Sequence, residues 1–134
     1  MILADTSAWV EYDRATGSPV DERMAELVGE PDLLATTEPV VMEVLAGARD
    51  DAREADLRRL LDRFRLLRFD AAAEFDGAVR IYRSCREAGV TPRGLLDCLI
   101  ATVAIRHGAA LLTADRDLAR IATVMDLRLD PASR

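Results

Sequence analysis

The stretch GLLDCLIATVAI, residues 94–105, is an apolar segment of helical length that contains one charged side chain, Asp97. Moving an unpaired carboxylate from water into apolar surroundings is costly, so such a residue ordinarily has a cation or a metal as its partner. Gly94 and Ala101, three and four positions away in a helix, are small and leave space beside the carboxylate. An ion pair with Arg93 is the alternative explanation for a buried Asp97.

Short apolar segments alternate with longer helical patterns along the rest of the chain. The predicted strands are residues 2–4, 32–36, 66–69, 109–113 and 127–129, and seven helices are predicted around them. Alternation of this kind is typical of βαβ units, in which a largely parallel sheet is covered on both faces. The sequence therefore predicts one α/β domain over residues 1–134, a three-layer α/β/α sandwich with a mostly parallel central sheet.

Further acidic residues stand where such a sheet would bring them together. Asp5 follows the first strand, Asp115 and Asp117 follow the strand that ends at Thr113, and Glu43 interrupts a second apolar helix. In open parallel α/β sheets, ligands bind beyond the carboxyl ends of the strands. A helix N-cap role is the alternative for each of the three aspartates. Four separated carboxylates directed at one point make a divalent-metal site the leading hypothesis.

A set of oxygen ligands selects hard cations, so Mg²⁺, with Mn²⁺ as a substitute, is expected rather than zinc. The only histidine, His107, lies in a last helical turn, where a contact with the helix end explains it. Cys85 and Cys98 show no metal-ligand spacing and are interpreted as buried reduced thiols. Carboxylates with Mg²⁺ can activate water against a phosphodiester, and one carboxylate oxygen can accept its proton.

The composition limits the other classes of function. The chain has no lysine, which the phosphoaspartate families require, and neither GxxxxGK[ST] nor GxGxxG occurs in it. No apolar run approaches the roughly 18 residues of a membrane helix, and the N-terminus does not resemble a secretory signal, so a cytoplasmic protein is expected.

The net charge of −6 disfavours a nucleic-acid partner unless arginines form a local phosphate-binding rim. Acids interleave with part of that candidate rim, so a solvated face is the alternative for these residues: Arg58, Arg59, Arg63, Arg65, Arg68, Arg80, Arg83 and Arg86.

Four motifs in this order resemble the PIN-domain ribonucleases, and among them the VapC-type toxins. They are DTS at 5–7, Glu43 in its apolar helix, LLDCLIA at 95–101 and TADRD at 113–117. The resemblance implies Mg²⁺- or Mn²⁺-dependent endonucleolytic cleavage of structured RNA, such as tRNA or rRNA. It also implies inhibition by a VapB-like antitoxin, with a homodimer and a toxin–antitoxin hetero-oligomer as assemblies.

The same resemblance assigns roles by matching positions. It implies that the catalytic and metal-binding acidic quartet is Asp5, Glu43, Asp97 and Asp115. Asp117 would be a further metal-binding acid. Thr6 and Thr113 would place hydroxyls beside the metal, and Arg93 would be a supporting residue. The alternative function is a catalytically silent PIN-like module that acts through antitoxin binding and operon regulation. A DNA-directed nuclease of the same fold is the third possibility.

Overall fold

Four strands form one parallel sheet in the computed structural model, which describes residues 1–133. In chain order they are β1 (Ile2–Ala4), β2 (Leu34–Thr36), β3 (Arg65–Leu66) and β4 (Ala110–Leu112). Their order across the sheet is β3-β2-β1-β4, and all three pairings are parallel. The first and last strands of the chain are therefore neighbours, and their carboxyl ends lie at the same edge of the sheet.

Seven helices connect and follow these strands within the described residues. They are α1 (Thr6–Asp13), α2 (Pro19–Val28), α3 (Glu38–Ala46), α4 (Asp51–Leu61), α5 (Ala71–Glu87), α6 (Leu95–His107) and α7 (Arg116–Val124). The chain moves outward from β1 to β3 and then returns past β1 to β4. Because crossovers between parallel strands are right-handed, α1 to α4 cover one face and α5 and α6 the other. The predicted α/β/α sandwich is confirmed.

The apolar side chains form one core cluster on the sheet, and α5 packs very closely against α6. A Cβ added at Gly77 of α5 would lie 2.6 Å from Cγ2 of Thr102 on α6, so a larger residue there would force the helices apart. Cys85 and Cys98 are buried free thiols, as the sequence predicts. Gly108, at φ 64°, ends α6 in the left-handed conformation that glycine adopts without strain.

Two of the five predicted strands, the third and the fifth, differ from the observed structure. Residues 127–129 form no strand; a single parallel bridge joins Leu129 to Leu111. Shortly beyond that bridge comes Pro131, which has no N–H to extend a ladder. The strand predicted at 66–69 is observed only as Arg65–Leu66, because the chain leaves the sheet before Asp70 caps α5. Among the described residues, no helix is long and apolar enough to cross a membrane.

Candidate metal centre

Asp5 lies at the carboxyl end of β1 and is only 2% exposed. Its Oδ1 accepts hydrogen bonds from the Ala8 backbone N–H at 2.9 Å and the Ser7 hydroxyl at 2.7 Å, and its Oδ2 accepts one from Thr113 Oγ1 at 2.5 Å. Asp5 is thus the N-cap of α1 and a member of the acidic group as well. Burial raises its pKa to about 6, and the three hydrogen bonds oppose that rise.

The segment after β4 is fixed to the start of α1 by hydroxyl groups. The Asp115 backbone N–H donates to Thr113 Oγ1 at 2.9 Å, and the Ala114 N–H donates to Ser7 Oγ at 2.8 Å. Asp115 Oδ1 in turn accepts from the Asp117 N–H at 2.7 Å and caps α7. These bonds hold Asp115 beside Asp5 across the β1–β4 pairing.

Arg93 joins the segment before α6 to the start of α7. Its backbone N–H and its Nε both donate to Asp117 Oδ2, at 2.9 and 2.8 Å, and its Nη2 lies 3.4 Å from Asp115 Oδ1. These contacts hold the pKa of Asp117 below its usual value. The alternative in which Arg93 pairs with Asp97 is therefore wrong: the guanidinium lies against the acids of α7, because the fold places that helix end closer to it.

Glu43 reaches the same region from α3. Its Oε1 accepts a hydrogen bond of 2.6 Å from the Thr6 hydroxyl, at the first residue of α1. Thr6 and Thr113 thus make the same kind of contact: the hydroxyl of each donates a hydrogen bond to a carboxylate on another element of the fold. Both threonines orient carboxylates in this arrangement.

Asp97, in the first turn of α6, lies among the other four acids. Within residues 1–133 it accepts no hydrogen bond and forms no ion pair. Asp97, Asp115 and Asp117 each place one carboxylate oxygen within 4.8 Å of the others. Burial raises the pKa of Asp97 to about 7, and repulsion from Asp115, Asp5, Glu43 and Asp117 adds to the rise. Five carboxylates from four parts of the fold therefore share one electrostatic neighbourhood.

An all-carboxylate donor set suits a hard divalent cation. The structure brings the carboxylates of Asp97, Asp115 and Asp117 within 4.8 Å of one another. Asp5 and Glu43 lie outside that triad and are close enough to repel Asp97. A cation here would offset the repulsion around Asp97 that no hydrogen bond offsets. Asp117 enters such a site with one oxygen already engaged, since Arg93 occupies its Oδ2.

Two cavities open on either side of the acidic group. The apolar groove, about 650 Å³, lies between α1, α3 and α4 and reaches Thr6 and Glu43. Its lining combines the apolar side chains Trp9, Val10, Val44, Leu57, Leu60 and Leu61 with the charged Asp13, Arg14, Arg49, Arg53 and Asp56. The arginine pocket, about 440 Å³, lies at the start of α7 and is lined by Ser7, Arg93, Ala114, Asp115, Arg116, Asp117 and Arg120. The site is thus open to a ligand on two chemically different sides.

Sequence reasoning missed the role of Ser7 and the arginine pocket. Ser7 was named only as part of the DTS motif. Its place two positions after Asp5, opposite a second strand end, was the one signal for its bridging role. Of the candidate rim, Arg58 and Arg59 pair with Glu54 and Asp56 on their own helix. For these two arginines the structure favours the solvated face.

Comparison with known proteins places this arrangement in a family context. The family model described as "PIN domain" matches residues 2–124. Ribonuclease VapC11 of Mycobacterium tuberculosis is 46% identical over 129 residues, which cover 96% of this chain and 96% of the relative.

Two solved structures share the fold at lower identity. VapBC2 of Rickettsia felis, bound to a promoter DNA fragment, has a TM-score of 0.72 at 21% identity and covers 100% of this chain and 99% of its own. The sarcin-ricin loop cleaving toxin VapC20 of M. tuberculosis has a TM-score of 0.70 at 18% identity, covering 96% and 99%.

Proposed function

This chain belongs to the PIN domain family, and we propose that it is a metal-dependent endoribonuclease, the toxin of a toxin–antitoxin pair. The observation that carries the proposal is the position of Asp97. It is a half-buried carboxylate without a hydrogen-bond partner in residues 1–133, and four other acids surround it. Full-length similarity to a protein named a ribonuclease supports the same activity.

We assign the cation as Mg²⁺, with Mn²⁺ as a substitute, because every donor offered is a carboxylate oxygen. Asp5, Glu43, Asp97 and Asp115 would hold it, with Asp117 as a further acid. When bound, the cation would polarise the phosphodiester and lower the pKa of a water molecule. A carboxylate of the quartet that keeps an oxygen outside the metal would accept the proton of that water.

The hydroxyls and Arg93 have positioning roles in this proposal. Thr113 and Ser7 fix both oxygens of Asp5, and Thr6 fixes Glu43. Hydrogen bonds that fix the oxygens of a metal-binding carboxylate orient it and tune its affinity for the metal. Arg93 holds Asp117 at the start of α7.

The substrate we propose is a structured cellular RNA, either tRNA or rRNA. VapC20, which shares the fold, is described as cleaving the sarcin-ricin loop. An RNA substrate also sets the cytoplasm as the proposed location.

The partner we propose is a VapB-like antitoxin, and the assemblies are a homodimer and a toxin–antitoxin hetero-oligomer. A helix laid into a hydrophobic groove is a common mode of peptide recognition. The apolar groove between α1, α3 and α4 offers such a surface and ends at Glu43. A segment bound there would lie beside the acidic group and could block access to it.

The deciding experiment treats total cellular RNA with the purified, antitoxin-free protein in Mg²⁺ and maps the new 5′ ends. Parallel reactions contain EDTA or the Asp97→Asn variant. Discrete cuts that disappear in both controls are the expected result. Folded protein that cuts no RNA but still binds its antitoxin would favour the binding-only alternative, and cuts in DNA under the same buffer would favour a DNA-directed nuclease.

A further inference from the structure

The arginine pocket is the feature that the proposed function does not yet use. It shares Asp115 and Asp117 with the acidic group, so whatever fills it lies directly beside the proposed metal. Three guanidinium groups line it, from Arg93, Arg116 and Arg120. We propose that this pocket is the subsite for an RNA backbone phosphate adjoining the one that is cleaved; the inference rests on the proposed ribonuclease function.

The charges in the pocket leave cationic groups available. Asp117 is already enclosed, with Arg93 bonded to its Oδ2 and Arg120 Nη1 3.8 Å from its Oδ1. Arg116 is exposed and, within residues 1–133, makes no hydrogen bond or ion pair. The side chains of Arg93 and Arg120 are 77% and 61% exposed, so both remain accessible to a ligand in the pocket that they line. The lining of the pocket thus has three arginines and two aspartates, with Asp97 adjoining it, and Arg116 is the cation that no acid pairs with among residues 1–133.

Phosphate is the ligand that this chemistry suits. A planar guanidinium matches two phosphate oxygens at once, and arginine is over-represented where phosphates are recognised. RNA carries a charge on each nucleotide, so a strand with one phosphate at the acidic group must place the next charge close by. In a chain of net charge −6, a local cationic pocket at this place counters the repulsion that the strand would otherwise meet.

We assign Arg116 and Arg120 as the phosphate-contacting residues and Arg93 as a positioning residue. Arg93 already has two of its N–H groups on Asp117 and holds the pocket wall in place. Arg116 and Arg120 stand one helical turn apart on α7, with Arg116 at its first residue, so their side chains lie on neighbouring parts of one helix face.

The test measures RNA binding in the Asp97→Asn background, which removes cleavage, with a fluorescein-labelled single-stranded oligoribonucleotide in Mg²⁺. Arg116→Gln and Arg120→Gln should each weaken binding about tenfold. Each should also reduce the slope of log affinity against log salt by about 0.7, the value for one lost contact to a single strand. Arg128→Gln is the control, because Arg128 is also exposed, lies outside the candidate rim and donates from its Nη2 to the Gly108 carbonyl, before β4.

Unchanged binding in the Arg116 and Arg120 variants, or equal losses in all three, would overturn the subsite. Loss of antitoxin binding with RNA binding intact would assign the pocket to a protein partner instead and would overturn it as well. In the cleaving protein, the two variants should raise KM about tenfold and change kcat less than about twofold. A wild-type protein that binds RNA through these arginines but never cuts it would contradict the ribonuclease proposal alone.

Discussion

Asp5, at the end of β1, and Asp97, in the first turn of α6, belong to one acidic group but are held in different ways. Asp5 accepts three hydrogen bonds, from Ser7, Ala8 and Thr113. Asp97 accepts none within residues 1–133 and is surrounded by like charges. The strand ends therefore form the rigid side of the site. On the α6 side no hydrogen bond holds Asp97, and the Arg93 guanidinium that attracts it is bonded to Asp117 instead.

This difference separates two physical roles. A carboxylate fixed by hydroxyls keeps its geometry whether or not a cation is present. A carboxylate whose pKa is raised by burial and by repulsion from its neighbours is stabilised most when a cation binds, and its charge weakens the cation-free protein. Variants that act on one side only can therefore test the assignment.

The largest expected effect comes from Asp97→Asn. Cleavage should fall at least about a hundredfold, because one ligand and its charge are lost. In EDTA the same change should increase the free energy of unfolding by about 1–2 kcal/mol, a figure reduced for the partial exposure of this group. Initial rates and denaturant unfolding measure the two effects.

Asp126→Asn is the control for the lower cleavage rate and the higher stability expected of Asp97→Asn. Asp126 is exposed just beyond α7, and the same substitution there should change neither quantity. Full cleavage by Asp97→Asn would refute its place in the site. A destabilised variant in EDTA would refute the repulsion argument.

The second effect, on the rigid side, comes from Thr113→Val. The change removes the donor of a buried hydrogen bond to Asp5 Oδ2 and the acceptor of a partly buried one from the Asp115 N–H. The free energy of unfolding should fall by about 1–3 kcal/mol. The cleavage rate should fall roughly tenfold, which is typical when a hydrogen bond that orients a metal ligand is lost.

Thr123→Val is the matched substitution, since the Thr123 hydroxyl donates to the Arg120 carbonyl on the exposed side of α7. It should leave the rate unchanged and alter stability by less than about 0.5 kcal/mol. Equal losses in the two variants would mean that Thr113 has no special role at the strand ends.

The sequence predicted the acidic residues but not what holds them. Parallel strands end at one edge of a sheet, so Asp5 and Asp115 could be expected together once the strands were found. The cost of a carboxylate in an apolar helix likewise identified Asp97. The capping alternative was correct as well for Asp5 and Asp115, because one aspartate can cap a helix and face a site.

The partners of these acids depend on strand order, which the local pattern does not contain. The Ser7 and Thr113 hydroxyls meet at Asp5 only because β1 lies beside β4. Arg93 appeared closest to Asp97 in sequence, four residues away, yet it lies against Asp117, 24 residues away. Hydroxyls and arginines find suitable partners in many places, so their sequence neighbours do not determine which partner is used.

The third prediction concerns pH and tests both sides together. Asp97 and Asp5 have pKa values of about 7 and 6 in the folded protein, above the roughly 3.9 of an unfolded aspartate. The folded state thus binds more protons, and in EDTA stability should fall as pH rises from about 4 to about 7, by on the order of 1–3 kcal/mol.

Thermal unfolding in EDTA over this pH range measures the effect. In Asp97→Asn the part of the fall nearest pH 7 should disappear, leaving the part from Asp5. Added Mg²⁺ should raise the melting temperature more at pH 8 than at pH 5.5, since ionised acids bind it. Stability that rises from pH 4 to 7 in EDTA would contradict the proposed charge states.

The smallest effect is expected from Arg93→Gln, which acts between the two sides. Arg93 stands before α6 and holds Asp117 at the start of α7, so its loss should let the pKa of Asp117 rise toward the ordinary value. Its side chain is 77% exposed, and water can replace part of the contact. Cleavage should therefore fall only about threefold, because exposed ion pairs contribute little. Arg23→Gln, which breaks a similar Nε–carboxylate contact with the buried Asp130 and lies outside the candidate rim, should leave the rate unchanged. A loss as large as that of Asp97→Asn would show that the α6 side is positioned by Arg93, and the division into a fixed and an unfixed side would then be wrong.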